Sequence, residues 1–215
     1  MLSKSFLIKP LAAAALLAVA GASQATVTVY TSQSAFLAAI SNVGVDTFDD
    51  MALSSVPSPI FRNAGPYNYT GAVSTTSFFQ GGTTADVWLS TNTATDTITF
   101  NAFSGGVQGV GANFFGSDIN GAFLAGSFTI TATDASGTVT QTLTSASPTS
   151  FLGFVSNGTM TSVTITSVQP VSGFLWPTVN NLTMGVAAAV PEPQTYAMLL
   201  AGLGFVGFMA RRRRS

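Results

Sequence analysis

Hydroxyl-bearing side chains alternate with apolar side chains along much of the chain between residues 26 and 189. In segment 127–133, serine and threonine separate Phe128, Ile130 and Ala132, and segment 161–166 repeats the pattern. Successive side chains of a β-strand point to opposite faces, so a period of two predicts strands with one buried and one solvated face. The alternation therefore predicts a β-sheet protein with rows of hydroxyl groups on its exposed faces.

Similar short segments recur and are separated by turn residues. Asp134-Ala135-Ser136-Gly137 and Ser156-Asn157-Gly158 both predict hairpin turns, because glycine and asparagine accept the positive φ of tight turns. Many short strands at this spacing predict an all-β fold, an antiparallel β-sandwich that is jelly-roll-like. The predicted strands are 26–30, 45–48, 67–74, 87–91, 97–100, 107–115, 127–133, 137–144, 151–155, 161–166 and 179–185.

One short N-terminal helix is predicted before these strands. Thr31 or Ser32 can cap its first turn, and Phe36 and Ile40 fall on one face at helical spacing. The glycine and proline residues between 57 and 82 predict one long irregular excursion of the chain.

Residues 1–25 have the layout of a secretory signal peptide. Lys4 and Lys9 precede an uncharged run rich in alanine and leucine, and Ser23-Gln24-Ala25 supplies the small residues that a signal peptidase needs. We expect cleavage after Ala25, which leaves 26–189 as the ectodomain. The alternative is a second membrane helix, which the shortness of the apolar run disfavours.

Residues 190–215 form a second targeting segment. Pro191, Glu192 and Pro193 precede an uncharged apolar run at 196–210, and a block of four basic residues follows it. As a helix this run would span about 22 Å of a hydrocarbon core about 30 Å thick, which long basic side chains and local thinning of the bilayer accommodate. The segment therefore predicts a C-terminal transmembrane helix with a cytoplasmic stop made of Arg211, Arg212, Arg213 and Arg214.

The tail resembles the PEP-CTERM sorting signal of Gram-negative, exopolysaccharide-producing bacteria, a motif also known as the ice-binding-protein C-terminal motif. Pro191, Glu192 and Pro193, the helix and the terminal arginines all match that signal. The resemblance implies recognition near the Pro-Glu-Pro by exosortase, a membrane protease-transferase, and it implies no ice binding. Exosortase and the membrane are therefore expected partners.

Charge and composition exclude several classes of function for the ectodomain. Its only basic residue is Arg62, whereas it holds every aspartate of the chain, so nucleic acid is not an expected partner. Histidine and cysteine are absent from the chain, which removes the common catalytic triads and nearly all zinc or copper sites. We expect a protein that is not an enzyme; the alternative is a glycan hydrolase built on two aspartates.

No cofactor is expected, with calcium as the one candidate ligand. An early Asp49-Asp50 and a late Asn180-Asn181 suit the oxygen coordination of calcium if the strands that carry them meet. Short PEP-CTERM bodies resemble this layout but commonly have Asp-Asn before the last strand, and this chain has Asn-Asn. The alternative, which we favour, is that these four side chains cap turns and bond the backbone.

Tyr67, Tyr69, Trp88 and Trp176 are candidates for stacking on sugar rings, although aromatic residues on strands are more often core residues. Asp118-Ile119-Asn120-Gly121 has the start of a calcium loop but lacks its later acidic ligands, so an Asx turn is expected.

The sequence as a whole predicts an exported protein of the cell-envelope surface or extracellular matrix of a Gram-negative bacterium. Its expected role is structural or adhesive, in an exopolysaccharide or biofilm matrix, and exopolysaccharide is a candidate partner. The alternatives are a carbohydrate-binding module and the aspartate-dependent hydrolase.

Overall fold

The computed structural model describes residues 26–189 and 199–203, the latter helical. In the described part the chain forms fifteen strands and one short helix before residue 190. They are β1 Val27–Tyr30, α1 Gln33–Ala39, β2 Ile40–Asp46, β3 Ser55–Pro57, β4 Ile60–Ala64, β5 Tyr67–Val73, β6 Ser77–Thr83, β7 Asp86–Thr91, β8 Ile98–Asn101, β9 Gly109–Ser117, β10 Phe123–Leu124, β11 Gly126–Asp134, β12 Thr138–Ala146, β13 Phe151–Ser156, β14 Met160–Val168 and β15 Trp176–Ala187.

The strands form two antiparallel sheets. Sheet I has the order β1-β13-β9-β15-β7-β6-β3, with β10 beside β9 and β2 beside β15; sheet II has the order β12-β11-β14-β8-β5-β4. From β5 onward the chain crosses repeatedly between the sheets, as in a jelly roll, but the hairpins β4–β5, β6–β7 and β11–β12 each stay within one sheet. The prediction of an antiparallel all-β fold is confirmed.

The core lies between the two sheets. Phe114 and Val179 of sheet I and Phe128, Ile130 and Phe100 of sheet II are all fully buried in one cluster. Strands β9 and β13 are buried along their whole length, whereas β11 and β14 alternate, so that one sheet II face is core and the other is solvated. The alternation visible in the sequence is therefore the signature of sheet II.

The predicted N-terminal helix is present as α1. Ser32 caps it, its hydroxyl accepting from Ala35 N at 3.5 Å. Phe36 is completely buried and packs with Phe151 at a ring-centroid distance of 5.4 Å, over Gly153, where a Cβ would overlap the Phe36 ring. The helix thus closes a small second core on the outer side of sheet I.

Two sequence-based expectations are wrong. The region 57–82 is not an irregular excursion: besides β5, which was predicted as strand 67–74, it contains β4 and β6. The turn at Asp134 does join a hairpin, with Asp134 N donating to Gly137 O at 3.0 Å, but the turn at Ser156 joins β13 of sheet I to β14 of sheet II. Gly137, Asn157 and Gly158 all lack a positive φ, so the stated reason for both turns is also wrong.

The strands run between two ends of the sandwich, which we call the base and the tip. At the base, Gln108 N donates to Gly185 O and Ser156 N donates to Gln108 O, while Val27 pairs with Ser156. The first and last strands therefore reach the same end, about 14 Å apart across three strand spacings. The tip lies at the start of β15, about 36 Å away along that strand.

Candidate functional site

The four residues predicted for calcium each have protein partners. Asp49 Oδ1 accepts from Val87 N at 3.0 Å, Asn180 Nδ2 donates to Asp86 Oδ1 at 2.8 Å, and Asp50 forms an ion pair described below. Asn181 Nδ2 donates to Asn113 Oδ1 at 3.2 Å. No group of three or more His, Cys, Asp or Glu that could hold a metal ion occurs within 26–189 and 199–203. Calcium binding remains a prediction.

The aromatic residues predicted to stack on sugars divide by exposure. Tyr67, Tyr69 and Trp88 are at least nine-tenths buried, so that prediction is wrong for these three: they are core residues. Tyr67 donates to Asn42 O at 2.7 Å, and Trp88 Nε1 donates to Gly121 O at 3.2 Å. Trp176, at the tip, is the one candidate whose side chain is only half-buried.

Arg62 forms an ion-pair cluster that the sequence did not predict. Its Nε and Nη2 bind both oxygens of buried Asp46 at 2.7 Å, and its Nη2 reaches exposed Asp50 at 2.6 Å. Tyr69 donates to Asp46 at 2.6 Å, and the guanidinium lies 5.4 Å from the centre of the Phe48 ring. The hydrogen bond to Arg62 lowers the pKa of Asp50, and burial together with the neighbouring Asp46 raises the pKa of Tyr69. The only basic residue of the ectodomain is thus committed to the fold.

One tip loop, 170–174, is closed by a side-chain amide. Gln169 Nε2 donates to Leu175 O at 2.8 Å and to Ala94 O at 2.9 Å, while Gln169 Oε1 accepts from Leu175 N at 3.2 Å. Leu175 is buried against Gly116 and Gly126, whose backbones leave it the necessary space. The loop is anchored at both ends.

A second tip loop, 118–122, is held by an Asx turn. Asp118 Oδ1 accepts from Asn120 N and Ala122 N, both at 2.9 Å, and Gly121 has a φ of 76°. The expected Asx turn is confirmed. The bond from Trp88 to Gly121 fixes the same loop to the core, so Ile119 is presented outward, 72% exposed, by a rigid turn.

Together these loops give the tip an exposed apolar surface. Phe174 is 63% exposed and packs edge-on against Trp176 at 6.2 Å between ring centroids. Residues 124–127 and 168–175 line a groove of about 470 Å³ between loop 170–174 and the segment that joins β10 to β11. We use the name apolar tip for a set of apolar residues at this end: exposed Ile119, Phe123, Leu124, Val171 and Phe174, together with half-buried Trp176. Sequence reasoning singled out only Trp176 among them, although Val171 and Phe174 on either side of Ser172-Gly173 in a loop were a usable signal.

The outer surface of sheet II is a second extended feature. Thr140, Thr131, Thr164 and Thr99 lie side by side on β12, β11, β14 and β8, and the hydroxyls of Thr131 and Thr140 are 2.9 Å apart. Parallel rows contain Thr142, Thr129 and Thr166, and Thr138, Thr133 and Ser162. We call this surface the hydroxyl face; none of its members carries a charge.

The remaining predicted residues lie outside the described part of the chain. They are Ala25 at the signal cleavage position, Pro191, Glu192 and Pro193 of the sorting motif, and Arg211, Arg212, Arg213 and Arg214 of the membrane stop. Within 26–189 and 199–203 there is no helix with the length and apolarity needed to cross a membrane.

Comparison with protein families identifies the tail. Residues 189–214 match the family model of the PEP-CTERM protein-sorting motif. The chain carries a PEP-CTERM sorting motif. The motif indicates export and sorting to the cell envelope, with processing by exosortase. No curated protein and no solved structure matches the chain. The PEP-CTERM match therefore assigns a destination, and the role of the ectodomain is argued from its own surfaces.

Proposed function

We propose that this PEP-CTERM protein is a structural or adhesive protein of the Gram-negative cell envelope and its exopolysaccharide matrix. It acts by displaying binding surfaces and catalyses no reaction. A signal peptide cleaved after Ala25 exports it, and a transmembrane helix at 196–210 with Arg211–Arg214 on the cytoplasmic side holds the precursor until exosortase acts near Pro191–Pro193. The ectodomain then reaches the surface or the matrix.

The arrangement of base and tip carries this proposal. The last strand of the ectodomain leads into the tail at the base, and the apolar tip lies at the opposite end. Soluble proteins rarely group exposed apolar side chains without an interaction to serve, and these side chains stand on anchored loops rather than on loose ones. The geometry suits a surface that meets a partner away from the membrane.

The hydroxyl face supports the same role. Neutral hydroxyls in rows offer many weak hydrogen bonds to the hydroxyls of a polysaccharide, and multiple weak contacts add up through avidity. The ectodomain offers no free positive charge to attract acidic sugars, because its one basic residue, Arg62, is bound by Asp46 and Asp50. This favours contacts through hydroxyl groups and the apolar tip.

A discrete carbohydrate-binding module is the second candidate, favoured by one observation. Exposed Phe174 lines the groove together with polar Gln169 and Ser127, and its ring packs against half-buried Trp176. An aromatic ring next to polar groups suits the face and the hydroxyls of a sugar. The hydrolase alternative has less support: Asp46 and Asp50 share Arg62 as a partner, and these bonds remove them as a free acid and base.

Mass spectrometry of the mature C-terminus in the native host tests the sorting step. We expect the wild-type cell to contain no peptide with Arg211–Arg214, and a strain without exosortase to retain it. An intact arginine block in the wild-type cell would contradict processing at the tail.

Fractionation of the same cells tests the role of the tip. Ile119→Ser together with Phe174→Ser is expected to move protein from the matrix fraction to the medium, while Val43→Ser, an exposed apolar change on β2 near the base, leaves its distribution unchanged. Equal retention of both variants, with unchanged melting curves, would exclude the tip as the contact surface.

A further inference from the structure

Strand β12 is a free edge of sheet II that lacks the usual protection. Natural sheets protect their edges with short strands, proline, charged side chains or a covering element. The other three strands that end the two sheet orders follow this rule: β1 has four residues, β3 has three and ends at Pro57, and β4 contains Arg62. Nine-residue β12 contains no charge, proline or glycine, and no strand of the described region pairs with its outer side.

Strand β12 is also regular along the part that would pair with another strand. Thr138 to Leu143 pair with β11 in unbroken register, and the one irregularity, near Ser145 with a φ of 50°, lies beyond them. Their outward N–H and C=O groups form a template for another strand, because a sheet edge exposes one unpaired row.

The sequence of this edge is nearly palindromic about Gln141. It reads Thr-Val-Thr-Gln-Thr-Leu-Thr over 138–144, so an antiparallel copy centred on Gln141 would set threonine opposite threonine and Val139 opposite Leu143. Val139 and Leu143 are half-buried, packed on the core from the edge, and a second copy would cover them. Cross-strand pairs of β-branched and apolar residues stabilise such a ladder.

We propose that β12 is a homotypic docking strand: two copies of this chain join antiparallel along β12, about a two-fold axis at Gln141, and extend sheet II across both molecules. A two-fold contact of this kind uses the same patch on each copy and closes at the dimer. The proposal concerns self-association and does not depend on the matrix role.

Cysteine scanning of the full chain in detergent tests the pairing, since the natural chain contains no cysteine. Directly opposed residues of an antiparallel pair have Cα atoms about 4.5–5.5 Å apart, within disulfide range. Identical residues are in addition offset along the strands by about 7 Å for each position from the axis. With a mild oxidant we expect most dimer from Gln141→Cys and little from Thr138→Cys. A mixture of Thr140→Cys and Thr142→Cys should crosslink better than either alone. Thr164→Cys, on central strand β14, is the control and should stay monomeric.

Charge variants give an independent readout. Thr140→Lys with Thr142→Lys should abolish the Gln141→Cys dimer, as should the corresponding pair of glutamates, and mixing the two variants should restore it, because opposite charges then face each other. Thr164→Lys, on the same face but away from the edge, should leave the dimer intact. Equal crosslinking at all positions including Thr164, or no rescue on mixing, would overturn the proposal.

Discussion

At the scale of single residues, Arg62 binds two aspartates in very different environments. The side chain of Asp46 is 3% exposed, whereas that of Asp50 is 73% exposed. A buried charge that loses its partner keeps its desolvation cost, while an exposed ion pair is screened by water and salt. The two halves of the same cluster should therefore contribute very differently to stability.

Neutralising each aspartate in turn separates these contributions. Asp46→Asn removes the buried partner of Arg62 and should lower the free energy of unfolding by roughly 3–5 kcal/mol. Asp50→Asn is the matched control, with an expected loss of less than about 1 kcal/mol. Urea unfolding followed by the fluorescence of Trp88 and Trp176 measures both, and equal losses would contradict this account.

Asp134 makes the stability of the ectodomain depend on pH. The hydroxyl of Ser156 donates to its Oδ2, and Ser136 N and Gly137 N donate to its Oδ1 at 2.7 and 2.9 Å. The bond from Ser156, followed by the backbone donors, outweighs burial and lowers the pKa of Asp134. A lowered pKa means that this stabilisation is present above about pH 4, the value in the unfolded chain, and is lost as pH falls through the folded value.

Ser156→Ala should therefore cost stability in a pH-dependent way. We expect a loss of about 1–3 kcal/mol at pH 7, and a smaller difference from wild type at pH 3, which lies below the pKa of about 4 in the unfolded chain. Unfolding curves at the two pH values test this. A difference that grows on acidification would show the opposite sign and exclude the carboxylate as the cause.

Residue-level prediction from the sequence succeeded where one short-range rule decides the geometry. The cap at Ser32 and the Asx turn at Asp118 depend on neighbours within a few positions, so they were found. Other features depend on which strands become neighbours in the fold, and the local sequence does not contain that information. They include the burial of Tyr67 and Tyr69 and the choice of Asp46 as a partner of Arg62.

At the scale of elements, the sequence pattern located β5, β8, β11, β12 and β14 of sheet II and β1, β7, β9, β13 and β15 of sheet I, but missed β3, β4, β6 and β10. Strand β6 shows why a strand can be missed. Gly81 and Gly82 indicated a loop, but Gly81 lies within the strand and is needed because other groups approach its backbone closely. A Cβ there would overlap the Trp88 indole and lie 2.7 Å from Gly121 O. The glycine is required by a contact with β7 and a tip loop, and such distant contacts leave no local sequence pattern.

Replacing glycine by alanine distinguishes a glycine required by close contacts, Gly81, from a turn glycine with open space around it, Gly137. Gly81→Ala should destabilise the protein by about 1–3 kcal/mol, because the indole ring or the loop has to move. Gly137→Ala is the control, since its Cβ would meet nothing within 4 Å, and it should be neutral or stabilise by up to about 1 kcal/mol. Thermal melting compares them, and equal effects would mean that β6 tolerates displacement.

At the scale of the whole molecule, the charge distribution sets how the ectodomain meets its surroundings. Every aspartate of the chain lies in this domain, and its single arginine is bound by two of them. Contacts that rest on hydroxyl groups and apolar side chains are little affected by ionic screening, whereas exposed charge pairs weaken with salt.

Retention in the matrix should therefore resist salt. We expect washing of the native matrix with high sodium chloride to release no more protein than washing with low salt, measured by immunoblot of the two eluates. Release that rises steeply with salt would indicate binding through charge and contradict the role given to the apolar tip and the hydroxyl face.

The position of the base has a consequence for β12. Strands β11 and β12 run along the same axis from base to tip, so a two-fold axis that pairs β12 with a second β12 reverses that axis in the partner. The two ectodomain ends that lead into the tails then lie at opposite ends of the dimer. A dimer of this shape bridges two facing surfaces, so that vesicles carrying the full chain should cluster with one another while vesicles with the double-lysine variant stay dispersed.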